Sequence, residues 1–207
     1  VPSRGLGDVY KRQVLTVIPN VFFQNLEPRG KMNTIDFENV PDDFEHFGAG
    51  KFEDFSWKDV LDAYTCTECG RCTDNCPAWA TDKALSPRDI VVKLRHFVTE
   101  NANSDAMKEE YLPSDEWVTA DELYACTTCS ACVEQCPLFI DQMGKILEMR
   151  RFLTMEGKLT GTAVRTLQKL GSHGNPWGFE ATDRAPWAKE NEAVSYTHLR
   201  AHETVRN

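Results

Sequence analysis

No stretch of this 207-residue sequence approaches the roughly 18 consecutive apolar residues that a membrane-crossing helix needs. The best run, Val14–Phe23, is short and is interrupted by Pro19 and Asn20. Regular strand alternation is lacking as well, which argues against a sheet protein. No phosphate-binding glycine loop, no Ser/His/Asp set and no carboxylate pair stands out, so no substrate chemistry is placed on the chain. Cysteine is missing everywhere except in two short clusters, which excludes a scattered disulfide framework and points to metal ligation in a reducing compartment. Excess basic charge is absent too: the net charge is −9. An acidic surface excludes nucleic acid as the expected partner.

The two ends read as foreign to the rest. SRGLGDVYKRQ, Ser3–Gln13, and VSYTHLRAHET, Val194–Thr204, are encoded by opposite strands of one DNA string that resembles a transposon-type sequencing adapter. Residues 1–13 and 194–207 are therefore expected to be adapter-derived tails and are set aside from fold reasoning. They carry +2 and +1, which leaves −12 for the 180 residues 14–193. That segment is expected to be an internal piece of a longer protein.

What remains is dominated by a repeat. YTCTECGRCTDNCPAW at 64–79 and YACTTCSACVEQCPLF at 124–139 align at a constant offset of 60. Each holds the run C-x2-C-x2-C-x3-C-P. Three cysteines three residues apart curl one loop about a cubane, and the fourth serves the other cluster where two are present. The spacing therefore predicts two [4Fe–4S] clusters. Cys66, Cys69, Cys72 and Cys136 are expected to hold cluster 1; Cys126, Cys129, Cys132 and Cys76 are expected to hold cluster 2. The proline after each fourth cysteine turns the chain away and removes a donor. Structural zinc is the competing reading, but four cysteines in one short run close poorly on a single tetrahedral ion.

Helices are expected around both loops. Trp57, Val60, Leu61 and Tyr64 share one helical face behind a Ser56/Asp59 capping box. Ser86-Pro87 starts a helix with Ile90, Val91, Leu94, Phe97 and Val98 inward. Thr119 and Glu122 cap a short helix before Cys126. Phe139, Met143, Ile146, Leu147 and Leu153 mark another, a further helix is expected over 160–170, and Gly174–Gly178 reads as a turn. The fold class is mainly α. The expected organisation is an extended linker over 14–55, a dicluster domain over 56–157, and a helix with an irregular segment over 158–193.

Within the loops, Gly70 and Ser130 occupy equivalent places where small residues admit close backbone approach, or simply turns. Arg71 beside the first cluster, against Ala131 beside the second, is a source of unequal potentials or else a solvated arginine. The five tryptophans, 57, 79, 117, 177 and 187, read as packing residues; His46, His96 and His173 lack partner spacing and read as ordinary histidines.

LxxYTCTECGRCxDNCPA with LSP, ACTTCxACVEQCPxFI, MRRFL and GNPWG resemble the iron–sulfur core of bacterial (Fe–S)-binding oxidoreductases related to heterodisulfide reductase. IPNVFFQNLEPRGKMNTIDFE and FGAGKFEDFSWKDVLD resemble the linker of those proteins. Ser130 stands where that family usually has glycine, and so small a side chain should be tolerated there. The resemblance implies an α-helical ferredoxin domain between a membrane domain with haem b, or a quinone site, and a C-terminal reductase domain of CCG repeats. It implies electron transfer at the cytoplasmic, inner face of the cell membrane, with no small-molecule substrate on this piece. The alternative is the iron–sulfur part of a soluble flavin-linked dehydrogenase of glycolate, lactate or succinate type. A metal-stabilised interaction module is the non-redox alternative.

Overall fold

The computed structural model describes residues 6–28, 31–32, 34, 38, 47–101, 111–159 and 162–180. The tail expected over 194–207, Trp187 and His46 lie outside these. No strand occurs among the described residues. The helices are α1 Leu6–Phe22, α2 Trp57–Thr65, α3 Arg71–Asp74, α4 Pro77–Ala80, α5 Pro87–Asn101, α6 Ala120–Tyr124, α7 Ala131–Glu134, α8 Gln142–Met155 and α9 Thr162–His173, with a single 3-10 turn at Phe52–Asp54. The chain divides into two compact units, Val1–Lys158 and Leu159–Asn207.

In the first unit, α5 and α8 form the spine. The inward face expected for α5 is buried in full: Ile90, Val91, Leu94, Phe97 and Val98 are at most 6% exposed. Helix α8 buries Met143, Ile146, Met149, Phe152 and Leu153. A five-residue pattern recurs between these helices at an offset of 55, identical at three positions: RHFVT at 95–99 and RRFLT at 150–154. Val91, Leu94, Phe97 and Val98 take the places of Ile146, Met149, Phe152 and Leu153, all in one core. The equivalence continues in hydrogen bonds. Tyr64 Oη meets Thr99 Oγ1 at 3.3 Å, and Tyr124 Oη meets Thr154 Oγ1 at 3.3 Å. Each helix pair thus holds its own loop, and the internal repeat covers the flanking helices as well as the cysteines.

Both capping boxes form. Ser56 accepts from the Asp59 N–H and Thr119 from the Glu122 N–H, each with the reciprocal bond back. The face of α2 differs from expectation. Asp62, Ala63 and Thr65 turn inward, Val60, Leu61 and Tyr64 are half-buried, and Trp57 is exposed. The face rotates because Asp62 is drawn in by a buried lysine of α8.

The expectation of an extended segment over 14–55 is corrected at its start: residues 14–22 are helical, and α1 begins within the stretch read as a tail. Gln13 and Asn20 of this helix face inward. Gln13 Nε2 donates to the Cys66 carbonyl at 2.7 Å and Asn20 Nδ2 to the Leu138 carbonyl at 2.9 Å, while Val14, Leu15, Ile18 and Phe22 are exposed. Loop carbonyls left without helical partners attract amide donors more strongly than the core attracts this apolar stripe. Farther along, residues 47–50 cross α8. Ala49 N–H donates to the Glu148 carbonyl at 3.0 Å, and a Cβ on Gly48 (φ +86°) would stand 2.4 Å from that same oxygen. Only glycine admits so close a crossing.

The second unit carries α9 and a turn closed by Asn175. The Asn175 side chain accepts from Gly178 and Phe179 N–H at 2.7 and 3.0 Å. Gly174 and Gly178 both have positive φ, as the expected turn requires.

Candidate metal centre

Each cysteine loop follows a short helix and is opened by a left-handed backbone. Gly70 has φ +83° and Ser130 +62°; two residues earlier, Glu68 has +55° and Thr128 +54°. Alternating left-handed residues turn successive N–H groups towards one side, a nest for anionic sulfur. The donors are in place. The Thr128 N–H donates to Cys126 Sγ at 3.4 Å, and the Glu68 N–H is directed at Cys66 in the same way. Thr73 and Val133 backbone N–H groups serve Cys72 and Cys132.

The glycine expected to allow close approach at 70 does occupy a conformation that disfavours side chains, and Ser130 adopts the same one at a cost. Ser130 Oγ donates to Met143 Sδ at 3.1 Å, a weak compensation. Ser130→Gly is expected to stabilise the protein by ~0.5–1 kcal/mol, net of the lost contact and the looser unfolded chain. That corresponds to a rise of about 1–4 °C in the anaerobic thermal midpoint for a chain of this size.

Two arginines hold the loops from behind. Arg95 Nη1 donates to the Cys66 carbonyl at 3.3 Å, and its other nitrogen pairs with Glu68. Arg150 donates to the Leu123 carbonyl at 2.8 Å through Nε and to the Cys126 carbonyl at 2.5 Å through Nη2. They occupy equivalent places in RHFVT and RRFLT. The sequence signal for them was that second repeat, which a reading centred on cysteine spacing passes over.

None of the eight cysteines is in a disulfide. Burial pushes the Cys66 thiol up to about 11, and the neighbouring Cys72 and Cys136 add to the rise. Cys72 is raised by burial too, with Cys136 and Cys69 adding to it. An open pocket lined by Cys66, Cys69, Cys72 and Cys136 sits at this place. Burial likewise pushes Cys132 up to about 12, with Cys126, Cys72 and Cys76 contributing. Cys126 is raised by burial, with Cys76 and Cys129 adding to it. Cys136 of the second loop thus lies with Cys66, Cys69 and Cys72 about one pocket, and Cys76 of the first loop lies near Cys126 and Cys132. Cys69 and Cys129 are exposed, while Cys72 and Cys132 are buried together against Met143 between the loops.

Among the described residues no three His, Cys, Asp or Glu side chains converge tightly enough to share one ion. Four thiolates on a single zinc stand ~3.8 Å apart, given bonds of about 2.3 Å. The wider spacing and the N–H nests fit a larger anionic group, as a cubane is.

Other candidates do not join the site. Trp57, Trp79 and Trp177 are exposed, Trp57 with one edge-to-face contact to Phe23, and Trp117 packs edge-to-face on Phe97. His96 lies 3.8 Å from Glu100 on the surface, and Ser172 bonds His173 at 2.6 Å.

Residues 58–137 match the 4Fe-4S dicluster domain. The probable iron-sulfur-binding oxidoreductase FadF of Bacillus subtilis is 34% identical over 206 residues, covering 83% of this chain and 29% of that protein. The EtfAB:quinone oxidoreductase of Syntrophomonas wolfei is 34% identical over 205 residues, covering 87% and 28%. One polypeptide of the dihydromethanophenazine:CoB–CoM heterodisulfide reductase of Methanosarcina barkeri is 28% identical over 135 residues, covering 62% and 33%. The chain spans less than a third of the length of the first two relatives.

Proposed function

Because this chain is a 4Fe-4S dicluster protein related to iron–sulfur-binding oxidoreductases and to heterodisulfide reductases, we propose that it is the electron wire of a larger membrane-associated oxidoreductase. In this reading Cys66, Cys69, Cys72 and Cys136 hold cluster 1, and Cys126, Cys129, Cys132 and Cys76 hold cluster 2. The observation that carries it is the pairing of each loop's fourth cysteine with the opposite set.

The clusters supply one-electron chemistry when bound. The protein's part is geometry. N–H groups of the two nests steady the thiolates, Arg95 and Arg150 fix the loop carbonyls, and the core of α5 and α8 keeps water from the inner cysteines. No general acid or base is required, and none is placed at either site. The exposed Cys69 and Cys129 edges are where electrons enter and leave.

The partners in this reading are redox domains on either side: a haem b or quinone domain, and a CCG-type reductase domain. A quinone is lipid-soluble, so the wire works at the cytoplasmic, inner face of the membrane. No described helix is long and apolar enough to cross a bilayer. No small molecule and no nucleic acid is bound by this chain.

Anaerobic reconstitution is expected to yield eight irons and eight acid-labile sulfides per chain, by colorimetric assay. Four irons, or zinc alone, overturns the assignment.

A further inference from the structure

The two loops are equivalent in backbone but not in the side chains that face them. At an offset of 60, Thr73 of the first loop corresponds to Val133 of the second. At an offset of 55, Arg88 at the start of α5 corresponds to Met143 at the start of α8. Thr73 is buried, meets Ser86 Oγ at 3.0 Å, and directs its side chain at Cys72. The Arg88 N–H approaches Thr73 Oγ1 at 3.4 Å, and Arg88 lines the pocket of Cys66, Cys69, Cys72 and Cys136. Its guanidinium bonds Asp89 at 2.8 Å while remaining in electrostatic reach of Cys72. Met143, Val133 and Leu147 pack on Cys72 and Cys132 alike, but Val133 and Met143 stand in the second half where the first has the hydroxyl of Thr73 and the cation of Arg88. Glu68 opposes this difference in part, since Thr128 stands in its place. Its carboxylate, however, is engaged by Arg95.

We propose that Thr73 and Arg88 make the first site the one that holds an added electron more tightly, so that the chain has a built-in electrical direction. The inference rests on the dicluster reading above. Each site takes up one electron from an external one-electron donor, and no bond forms or breaks. The added negative charge is stabilised at the first site by a hydroxyl donor on a ligand sulfur and by a nearby cation. The second site offers neither from the equivalent positions. Both residues act through the ligands and are positioning residues.

The test is a dithionite titration of the reconstituted full chain, followed by electron paramagnetic resonance. The wild-type protein is expected to show two one-electron waves. Arg88→Met and Thr73→Val, which copy the second site onto the first, are each expected to lower the higher wave and leave the lower one in place. The expected change for Arg88→Met is about tenfold in the sharing of the electron between sites, or ~59 mV for a one-electron couple. Arg88→Lys is expected to retain most of the separation, which a purely structural role of the arginine would not produce. Unchanged waves in both Arg88→Met and Thr73→Val, or movement of the lower wave alone, overturns the inference while leaving the dicluster intact. A single wave with four irons in the wild type overturns the dicluster reading, and the inference with it.

Discussion

Cys76→Ser is expected to remove the second cluster and spare the first. Reconstituted variant protein should fall from eight irons towards four, and the surviving resonance should be that of the site built from Cys66, Cys69 and Cys72. In sequence, Cys76 is four residues from Cys72 and fifty from Cys126. In space its thiol bears on Cys126 and Cys132. The proline that follows it opens α4 and carries the chain off, with Cys76 as the residue before the first turn. The side chain is buried, so a serine oxygen there has no water route to replace the missing thiolate and no comparable affinity for iron. Cys136→Ser should give the mirror result. Loss of the first cluster from Cys76→Ser, with the second intact, would falsify the cross-ligation.

The same arrangement makes each cluster a staple between halves of the fold. Ligation free energy is then folding free energy. Both single-serine variants should therefore be less stable than the protein with two clusters, and more stable than the apo-protein. Their denaturation midpoints should fall in that order.

The parts legible from sequence are those fixed by local rules. Cysteine spacing, the two capping boxes and the inward face of α5 each depend on residues within a few positions of one another. The structure forms both capping boxes and buries the α5 face as those rules require. What escaped was set by long-range polar demand. Helix α1 reads as an interrupted apolar run, yet Gln13 and Asn20 face inward because carbonyls at Cys66 and Leu138 need donors. The rotation of α2 has a similar origin: Asp62 leads its buried face instead of Val60 and Leu61. The partner lies 83 residues away, which no periodicity within a helix can register.

That partner, Lys145, carries the largest stability prediction. Its side chain is 1% exposed and its Nζ sits 2.7 Å from Asp62 Oδ2 and 2.9 Å from Asp59 Oδ1, with the Asp141 carbonyl at 3.1 Å. Asp62 also receives Lys58, which reaches on to Asn20 of α1 at 2.9 Å. One ammonium thus ties the helix before the first loop to the helix after the second. In the other half the equivalent of Lys145 is Ile90, fully buried, while the equivalent of Asp62 is Glu122, satisfied by Lys93 at 2.6 Å. An apolar side chain therefore fits the position once the charge opposite is removed. Lys145→Ile alone is expected to cost ~3–5 kcal/mol, because it leaves the buried Asp62 and the half-buried Asp59 with Lys58 on Asp62 as the remaining cation. Lys145→Ile with Asp62→Leu is expected to recover most of that loss, as replacement of a whole buried pair by apolar groups does elsewhere. Anaerobic chemical denaturation of the loaded protein measures both. Acidity should not imitate the mutation near neutrality. Burial lowers the Lys145 value, but Asp62 and Asp59 more than offset it and hold the ammonium above its ordinary 10.5, so its contribution is complete below that pH and is lost as the pH rises from there through the raised value. Burial raises Asp59, but Lys145 and Ser56 hold it below its ordinary 3.8, so its contribution is complete above that pH and is lost as the pH falls through the lowered value. Wild-type stability from this network should therefore be flat between about pH 5 and pH 10. A steep loss inside that window, matched by an unchanged stability in Lys145→Ile, would show that the ammonium does not join the two halves.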